Sequence, residues 1–309
     1  MKHVDIIVPV YNEERNIPAL VKSLAAVFQD LPYNYTVVFV NDGSMDNSLR
    51  VLEGLSKDDP LVRYISFSRN FGKDNALKAG LDVSTADIAI TMDADLQHPP
   101  ELIPQMIHFW EQGQQVVYAY REEGNKDAGK LHQASSFFFY RTLNKLSGLD
   151  LEQGIADYRL LDRKVVEVIK TMKENEIFLR GLIKWLGFNQ HGIPYTPLQR
   201  HSGKTSYSKK RLIRLALQGI TSFSTKPLYA AAYIGFVISL CSVLYIPYAI
   251  ISYYLGVAIS GWTSIIVTIA FFGGLQLSIL GIIGLYLGKV FMQAKHRPLY
   301  VIAESNYGK

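Results

Sequence analysis

Two aspartates, Asp93 and Asp95, directly follow an apolar run and lie just before a Pro-Pro pair. Side chains two positions apart on a strand share a face, so we expect the two carboxylates to point together. Like charges that lie so close repel each other, and a divalent cation with a bound phosphate is the usual reason for a protein to tolerate them. A solvated acidic turn would explain the same two residues, so the pair needs support from the rest of the chain.

Polar clusters also follow other predicted strands. Runs of β-branched and apolar residues predict strands at 4–10, 35–40, 62–67, 87–92 and 115–120. Predicted helices alternate with these strands, which indicates an α/β fold with a Rossmann-like, mostly parallel sheet and helices on both faces. Ligands of such sheets bind at the carboxyl ends of the strands. Polar residues lie at those ends, at 11–13, 41–44, 69–70 and 93–95.

The regularity loosens between residues 121 and 211. Helices are predicted at 130–146 and 178–186, with another through Val165 and Ile169. A polar loop is predicted at 195–207. The chain shows no internal repeat and no low-complexity segment.

Residues 227–288 contain no Asp, Glu, Lys or Arg. A membrane span needs about 20 apolar residues, so this block predicts two spans, at 228–255 and 262–288. A hydrophobic hairpin buried in a soluble protein is the alternative. Positive residues flank only the outer ends of the block, which places both termini in the cytosol by the positive-inside rule.

The segment before this block has basic residues on one side and apolar residues on the other. The pattern at 208–223 is typical of a helix lying in a membrane interface. An ordinary amphipathic surface helix would have the same pattern. The single cysteine, Cys241, excludes an intramolecular disulfide, and Met1 leads into a strand without an apolar signal region. The net charge of +5 is mild, and we expect no nucleic-acid partner.

Several ordered motifs resemble those of the family 2 glycosyltransferases with a GT-A fold. They lie at 8–13, 40–44, 68–73, 93–97, 157–163 and 200–207. The resemblance is greatest to the polyprenyl-phosphate branch, which includes dolichol-phosphate mannose synthase and the bacterial undecaprenyl-phosphate glucosyltransferases of O-antigen modification. It implies inverting transfer of a sugar from a nucleotide sugar to the phosphate of a polyprenyl phosphate. Glucose and UDP are our first expectations for the sugar and the nucleotide.

The resemblance also implies a divalent metal, Mg²⁺ or Mn²⁺, which would neutralise the departing diphosphate. Asp95 is the first expected ligand, Gln97 the second, and Asp93 would reach the metal or the donor sugar. The other residues expected to bind the donor are Pro9, Tyr11, Glu13, Asp42 and Ala94. Taken singly, Asp42 is also explained by a tight turn and Tyr11 by an aromatic at the edge of the core.

On the acceptor side, Asp157 occupies the position of the family's proposed catalytic base, and we expect it to orient substrate as much as to take a proton. The residues expected to bind the acceptor phosphate are Arg121, Lys130, Arg159, Arg163, Arg200, Lys204 and Ser206. A surface role is an alternative for Arg163, and a structural ion pair is an alternative for Arg159. This chain departs from the branch at Ala156, Tyr158, His98 and Lys130.

We therefore predict a cytosolic catalytic domain at 1–207, a juxtamembrane helix at 208–226, two transmembrane helices at 227–290 and a cytosolic basic tail at 291–309. The expected location is the bacterial inner membrane. We also expect a homo-oligomer, with a flippase and a second transferase acting downstream on its product. Two alternatives remain. One is a catalytically silent scaffold that binds nucleotide sugars. The other is a processive polysaccharide synthase, whose Gln-x-x-Arg-Trp motif is absent here.

Overall fold

The computed structural model describes residues 1–121, 155–174, 177–196, 221, 224–255 and 261–307. Its strands are β1 (His3–Val10), β2 (Asn34–Asn41), β3 (Val62–Phe67), β4 (Ile88–Thr91), β5 (Val116–Arg121), β6 (Ile155–Asp162), β7 (Gln190–Tyr195) and β8 (Ile302–Ser305). Its α-helices are α1 (Ile17–Phe28), α2 (Ser48–Asp58), α3 (Lys73–Val83), α4 (Ile103–Glu111), α5 (Arg163–Thr171), α6 (Leu179–Trp185), α7 (Lys226–Tyr254) and α8 (Trp262–Ala294). A short 3-10 helix, Pro100–Leu102, leads into α4.

The described strands form one sheet in the order β7-β5-β6-β4-β1-β2-β3-β8. The predicted α/β fold with helices on both faces is confirmed, and so are the five predicted strands. The sheet is more mixed than expected, because β6 and β8 run antiparallel to their neighbours. These two strands and β7 were not predicted from the sequence.

The core has two layers, one on each face of the sheet. One layer packs α1 and α4 against side chains such as Ile6 and Tyr158. The other packs α3, α5 and α6 against side chains such as Ile7 and Leu161. Alternate residues of β1 enter opposite layers because side chains of a strand alternate between faces. A strand buried in this way on both faces reads as a continuous apolar run, which made β1 easy to predict.

Helix α3 lies unusually close to the centre of the sheet. A Cβ atom added at Gly80 would lie 2.3 Å from a methyl carbon of Ile7 on β1. Only glycine permits that approach, because any larger side chain would displace the helix from the strand. The first residue of α3 is Lys73, so this contact helps fix the position of the Lys73 side chain at the carboxyl edge of the sheet.

The C-terminal strand β8 closes the edge of the sheet beside β3. The Tyr300 ring, just before β8, stacks on Phe67 with ring centroids 5.0 Å apart, and its hydroxyl donates to the Asp82 carboxylate at 2.9 Å. Asn306 accepts from the backbone N–H of Tyr64 at 2.6 Å. The chain that follows α8 is therefore part of the α/β sheet and not a separate tail.

Helices α7 and α8 are long and apolar enough to cross a membrane, with candidate spans at Lys226–Ser252 and Ser264–Ala294. At about 1.5 Å per residue, either helix exceeds the ~30 Å hydrocarbon core of a bilayer. Helix α8 continues past the predicted end at residue 288 to Ala294. The predicted helix at 130–146 lies outside the described residues, as does almost all of the predicted juxtamembrane helix.

We expect Tyr300→Ala to loosen β8 from β3. An aromatic stack of this kind contributes about 0.5–1.5 kcal/mol beyond the area that it buries, and the hydrogen bond to Asp82 would also be lost. Hydrogen–deuterium exchange of the β3 and β8 amides should therefore accelerate by about tenfold. Tyr300→Phe keeps the stack and should show a smaller change. Unchanged exchange in Tyr300→Ala would show that the pairing of β8 with β3 does not depend on Tyr300.

Candidate active site

The antiparallel pairing of β4 and β6 brings the two central carboxylates together. Thr91, the last residue of β4, pairs with Arg159 of β6. The Thr91 hydroxyl donates to the backbone carbonyl of Asp157 at 2.6 Å. Continuing this register by two residues places Asp93 opposite Asp157, at the carboxyl end of β4. Residues far apart in the chain thus share one small region, and two like charges there need compensation.

The compensation begins with Lys73 at the start of α3. Its ammonium nitrogen lies 2.6 Å from a carboxylate oxygen of Asp93 and 2.7 Å from a carboxylate oxygen of Asp157. The Lys73 side chain is 37% exposed, whereas the Asp157 side chain is only 8% exposed. Lys73 therefore lies between the two carboxylates and still reaches solvent.

Arg180 of α6 supplies the second cation. Its Nε donates to one oxygen of Asp157 at 2.5 Å, and a terminal nitrogen donates to the other oxygen at 2.7 Å. This bidentate geometry is the strongest form of an ion pair between these groups. The neighbouring residue, Leu179, donates its backbone N–H to the Asp74 carboxylate of α3 at 3.4 Å, which ties α6 to α3.

These cations set the ionisation of both carboxylates. Burial alone would raise the pKa of Asp157, but Arg180 and Lys73 together outweigh burial and hold this pKa well below its usual range. The pKa of Asp93 is also lowered, because the Lys73 ammonium outweighs the effect of burial. Burial raises the pKa of Asp74 to about 6, and the Asp157 charge adds to this shift. Asp157 is therefore an ionised, fully engaged carboxylate at neutral pH.

His98 holds the backbone at Asp93. The Asp93 N–H donates to Nδ1 of His98 at 3.0 Å, which assigns the proton of the neutral imidazole to Nε2. The His98 ring stacks on Tyr158 at a centroid distance of 5.1 Å, and the Tyr158 hydroxyl donates to the Pro99 carbonyl at 2.9 Å. Burial lowers the pKa of His98, so the ring stays in the neutral form that this hydrogen bond requires. His98 and Tyr158, two departures from the family pattern, thus contact each other.

Asp95 and Gln97 lie in the turn after Asp93. Strand β4 ends at Thr91, and Leu96 has a positive φ of 61°, so the expectation that Asp93 and Asp95 share a strand face does not apply. The Gln97 backbone N–H donates to the Asp95 carboxylate at 3.1 Å. Arg121, at the end of β5, donates to the side-chain oxygen of Gln97 at 3.5 Å. The turn therefore brings the predicted metal ligands close to one predicted acceptor residue.

The residues present fit a divalent metal that substrate oxygens complete. The described residues contain no group of three His, Cys, Asp or Glu side chains that could hold a metal alone. Mg²⁺ does not need such a cage, since it keeps several waters and takes only one or two carboxylates together with substrate phosphates. Asp95, the Gln97 amide oxygen and Asp93 supply hard oxygen ligands of this kind.

The predicted donor residues lie at the ends of neighbouring strands. Tyr11 is 44% exposed, while Ala94 is buried. The backbone N–H of Glu13 donates to the Ser48 hydroxyl at 2.9 Å. Pro9 lies within β1, next to β4 in the sheet. The order β4-β1-β2 thus brings the ends that carry these residues to one edge, as the sequence predicted.

Asp42 has a structural task in addition to its predicted one. Its carboxylate accepts the backbone N–H groups of Phe71 at 2.6 Å and Gly72 at 3.0 Å. Burial nevertheless raises the pKa of Asp42 above its ordinary value. Gly72 has a φ of +100° and directly precedes Lys73, so Asp42 braces the turn from which α3 starts. Base or ribose binding by Asp42 stays a prediction.

The structure separates two of the predicted acceptor residues from one another. Arg159 is buried beside Asp157, and burial lowers its pKa to about 10. Its Nε donates to the Ala156 carbonyl at 3.4 Å. Arg163 instead lies at the amino end of β4, where it donates to the Ser84 and Ala86 carbonyls at 3.3 Å. The structure therefore does not bring Arg163 to the site, because β6 runs away from it.

The other predicted acceptor residues, Lys130, Arg200, Lys204 and Ser206, lie outside the described residues. Lys73 and Arg180 are the two members of this ion-paired cluster that sequence reasoning did not single out. Lys73 belongs to the motif at 68–73, so its spacing offered a signal. Arg180 offered none, because nothing in the sequence indicates which side of the sheet α6 covers.

Comparison with known proteins identifies the family of this chain. The family model described as "Glycosyl transferase family 2" matches residues 5–170, more than half of the chain. This range includes the Asp93 turn and β6, while α6 with Arg180 lies beyond it.

Curated relatives match almost the whole chain. An "Uncharacterized glycosyltransferase" of Bacillus subtilis (strain 168) is 41% identical over 98% of this chain and 94% of its own length. The "SfII prophage-derived bactoprenol glucosyl transferase" of Shigella flexneri is 40% identical over 99% of both chains. The "Prophage bactoprenol glucosyl transferase homolog" of Escherichia coli (strain K12) is 39% identical over 97% of this chain and 98% of its own.

Among solved structures, a glucosyl-3-phosphoglycerate synthase from Mycobacterium tuberculosis matches 72% of this chain and 78% of its own, with 16% identity and a TM-score of 0.48. That crystal structure contains Mn²⁺, UDP-glucose and phosphoglyceric acid. The match of the family model, together with relatives about 40% identical over nearly the full length, shows that this chain belongs to glycosyl transferase family 2 and is a glycosyltransferase.

Proposed function

We propose that this protein transfers a sugar from a nucleotide sugar to the phosphate of a polyprenyl phosphate at a membrane surface. UDP-glucose and undecaprenyl phosphate are the expected substrates. The observation that carries the proposal is a cluster of ion-paired residues at the carboxyl edge of the sheet, formed by Asp93, Asp157, Lys73 and Arg180. The same chain has two helices long and apolar enough to span a membrane. The names of the bactoprenol glucosyl transferase relatives support the same acceptor.

The chemistry expected of such a substrate pair is one in-line displacement. A phosphate monoester has its second pKa near about 6, so the acceptor is already a nucleophilic dianion at neutral pH. An acceptor phosphate oxygen forms a bond to the anomeric carbon while the bond from that carbon to the donor diphosphate breaks. The configuration is inverted, and the nucleoside diphosphate leaves. When bound, Mg²⁺ or Mn²⁺ supplies positive charge that stabilises this leaving group.

Asp157 positions groups in this scheme and does not need to accept a proton. Both of its oxygens are engaged by Arg180, and one also by Lys73. A carboxylate with so low a pKa is a weak base, and the dianionic acceptor has no proton to give. Asp157 therefore fixes the two cations near the reacting groups, which favours the positioning role over the base role.

The expected arrangement in the membrane follows from the positions of charge. Lys226 lies at the start of α7, and Lys289 and Lys295 lie at the end of α8, so both termini and the active site face the cytosol in this proposal. The interfacial helix at 208–223, Arg200, Lys204 and Ser206 are proposed to meet the lipid phosphate, with Lys130 as a further contact. The homo-oligomer, the flippase and the second transferase stay predictions.

The reaction class can be tested with radiolabelled UDP- and GDP-sugars, undecaprenyl phosphate, and either Mg²⁺, Mn²⁺ or EDTA. We expect label to enter the lipid phase from UDP-glucose only when metal is present, because the departing diphosphate needs neutralisation. Asp95→Asn should lower this transfer at least tenfold. Binding of nucleotide without transfer from any donor would support the silent scaffold and contradict the proposal.

The role of Asp157 can be tested through the pH dependence of the single-turnover rate. The folded-state pKa of Asp157 is depressed, so this residue stays ionised from neutral pH down to well below pH 5, and the acid limb near pH 6 comes from the acceptor phosphate. Asp157→Asn should lower the rate about 100-fold at every pH without moving this limb. Loss of the limb would identify Asp157 as the base, whereas a shift alone would not, because removing the Asp157 charge also lowers the pKa of Asp74 from about 6. An unchanged rate would exclude both roles.

Arg180 and Arg163 form a matched pair of ion-paired arginines at opposite ends of the sheet. Arg180→Gln should lower the transfer rate at least tenfold, because Asp157 loses its bidentate partner. Arg163→Gln removes a guanidinium 2.7 Å from Glu167 and should leave the rate within about twofold. Arg180→Lys keeps the positive charge and is the control for misfolding, because a folded site should retain part of its activity. Equal effects of Arg163→Gln and Arg180→Gln would contradict this assignment of the site.

A further inference from the structure

Lys73 is the cation that contacts both central carboxylates of the candidate site. It lies between Asp93, on the donor side, and Asp157, on the acceptor side, with 2.6 and 2.7 Å separating its nitrogen from the two carboxylates. Among the described residues, these two carboxylates are its ion-pair partners. An ammonium has three N–H donors, so two carboxylate contacts leave it one donor.

We propose that Lys73 binds a substrate phosphate directly, donating this remaining N–H to a phosphate oxygen at the point where donor and acceptor meet. The inference rests on the function proposed above and adds to it a residue with a named contact. The phosphate belongs either to the donor diphosphate or to the acceptor monoester. Both present the same charged oxygens.

The Lys73 side chain can be reached from solvent. It is 37% exposed, whereas its carboxylate partners are less exposed, at 29% for Asp93 and 8% for Asp157. Arg180 is exposed to a similar extent, at 35%, but its bidentate contact commits two of its nitrogens to Asp157. A ligand can therefore approach Lys73 from the solvent side of the cluster.

Charge balance leads to the same conclusion. Arg180 already engages both oxygens of Asp157, so Asp157 does not need Lys73 for neutralisation. The two carboxylates and two cations together are neutral, and an incoming phosphate brings new negative charge. The compact ammonium of Lys73 is suited to this charge, because its two carboxylate contacts leave it one N–H donor.

The backbone prepares Lys73 for this contact. Asp42 holds the N–H groups of Phe71 and Gly72, and the positive φ of Gly72 starts α3 directly at Lys73. The loops that follow β2 and β3 thus fix the backbone at Lys73, and the two carboxylates then orient its side chain. Pre-organisation of this kind reduces the entropic cost of binding.

The proposal can be tested by binding to the purified full-length protein in EDTA, where no metal masks the contribution of Lys73. The donor arm compares UDP with uridine, and the acceptor arm compares undecaprenyl phosphate with undecaprenol. In at least one arm, Lys73→Met should weaken binding of the phosphorylated ligand by roughly 10- to 100-fold. Binding of the phosphate-free ligand of that arm should stay unchanged. The affected arm identifies the phosphate.

Two variants serve as controls. Lys73→Arg keeps the positive charge and should retain part of the preference for the phosphorylated ligand. Lys170→Met removes another ion-paired ammonium, which donates to the Ser84 carbonyl at 2.6 Å and to Glu167 at 3.0 Å beyond the far end of α3. Lys170→Met should leave ligand binding unchanged in both arms.

If Lys73→Met lost affinity equally for the phosphorylated and the phosphate-free ligands, the proposal would be overturned, because such a loss would show a structural role for Lys73. Unchanged binding in both arms would overturn it as well. The transfer assay on the unsubstituted protein tests the proposed function separately. If that protein transfers no sugar while Lys73→Met still loses phosphate discrimination, the proposed function fails and the Lys73 contact stands.

Discussion

Two carboxylates that would otherwise repel each other share one site because two cations hold them there. Asp93 and Asp157 come from different strands, and their approach is fixed by the pairing of β4 with β6. Removing one partner leaves the other charge without compensation, but solvent reaches both cations, so the cost stays below the about 3–5 kcal/mol of a fully buried ion pair. The cluster therefore helps to stabilise this edge of the sheet and is also a candidate for chemistry.

The position of the cations depends in turn on features that carry no charge. Helix α3 approaches β1 closely because residue 80 is glycine, and it starts at Lys73 because the turn before it contains Gly72 with a positive φ. Asp42 then fixes that turn through two backbone N–H groups. Small residues and backbone hydrogen bonds thus place the ammonium, and the carboxylates respond to it through their lowered pKa values.

Local patterns in the sequence predicted much of this arrangement. Strands such as β1 and β4 are buried apolar runs, and the polar residues at their ends predicted the edge that carries the site. Strand β6 was missed because Asp157 and Arg159 interrupt its apolar pattern, although both are buried in the folded chain. Burial of charged residues depends on tertiary partners, which a local pattern does not contain.

The wrong prediction for Arg163 also arose because a local pattern does not contain tertiary structure. A sequence motif from 157 to 163 suggests that its members act together, but on a strand six residues span roughly 20 Å. Because β6 is a strand, its start joins the site and its end lies at the opposite edge. Arg180 shows the converse, since it is 23 residues from Asp157 in the chain and yet in contact with it. Spacing along the sequence indicates proximity only after the secondary structure and its direction are known.

The C-terminal strand links this site to the two helices that are long and apolar enough to span a membrane. Helix α8 donates from Gln293 to the Lys173 carbonyl at 2.8 Å, and β8 follows it directly into the sheet beside β3. The loop after β3 leads into α3 and Lys73, so the strand that receives β8 also precedes the central cation of the site. In the proposed reaction, a lipid-bound acceptor meets the donor only if the sheet edge keeps a fixed height above the bilayer. A strand paired along the sheet edge holds that height more rigidly than a flexible linker would.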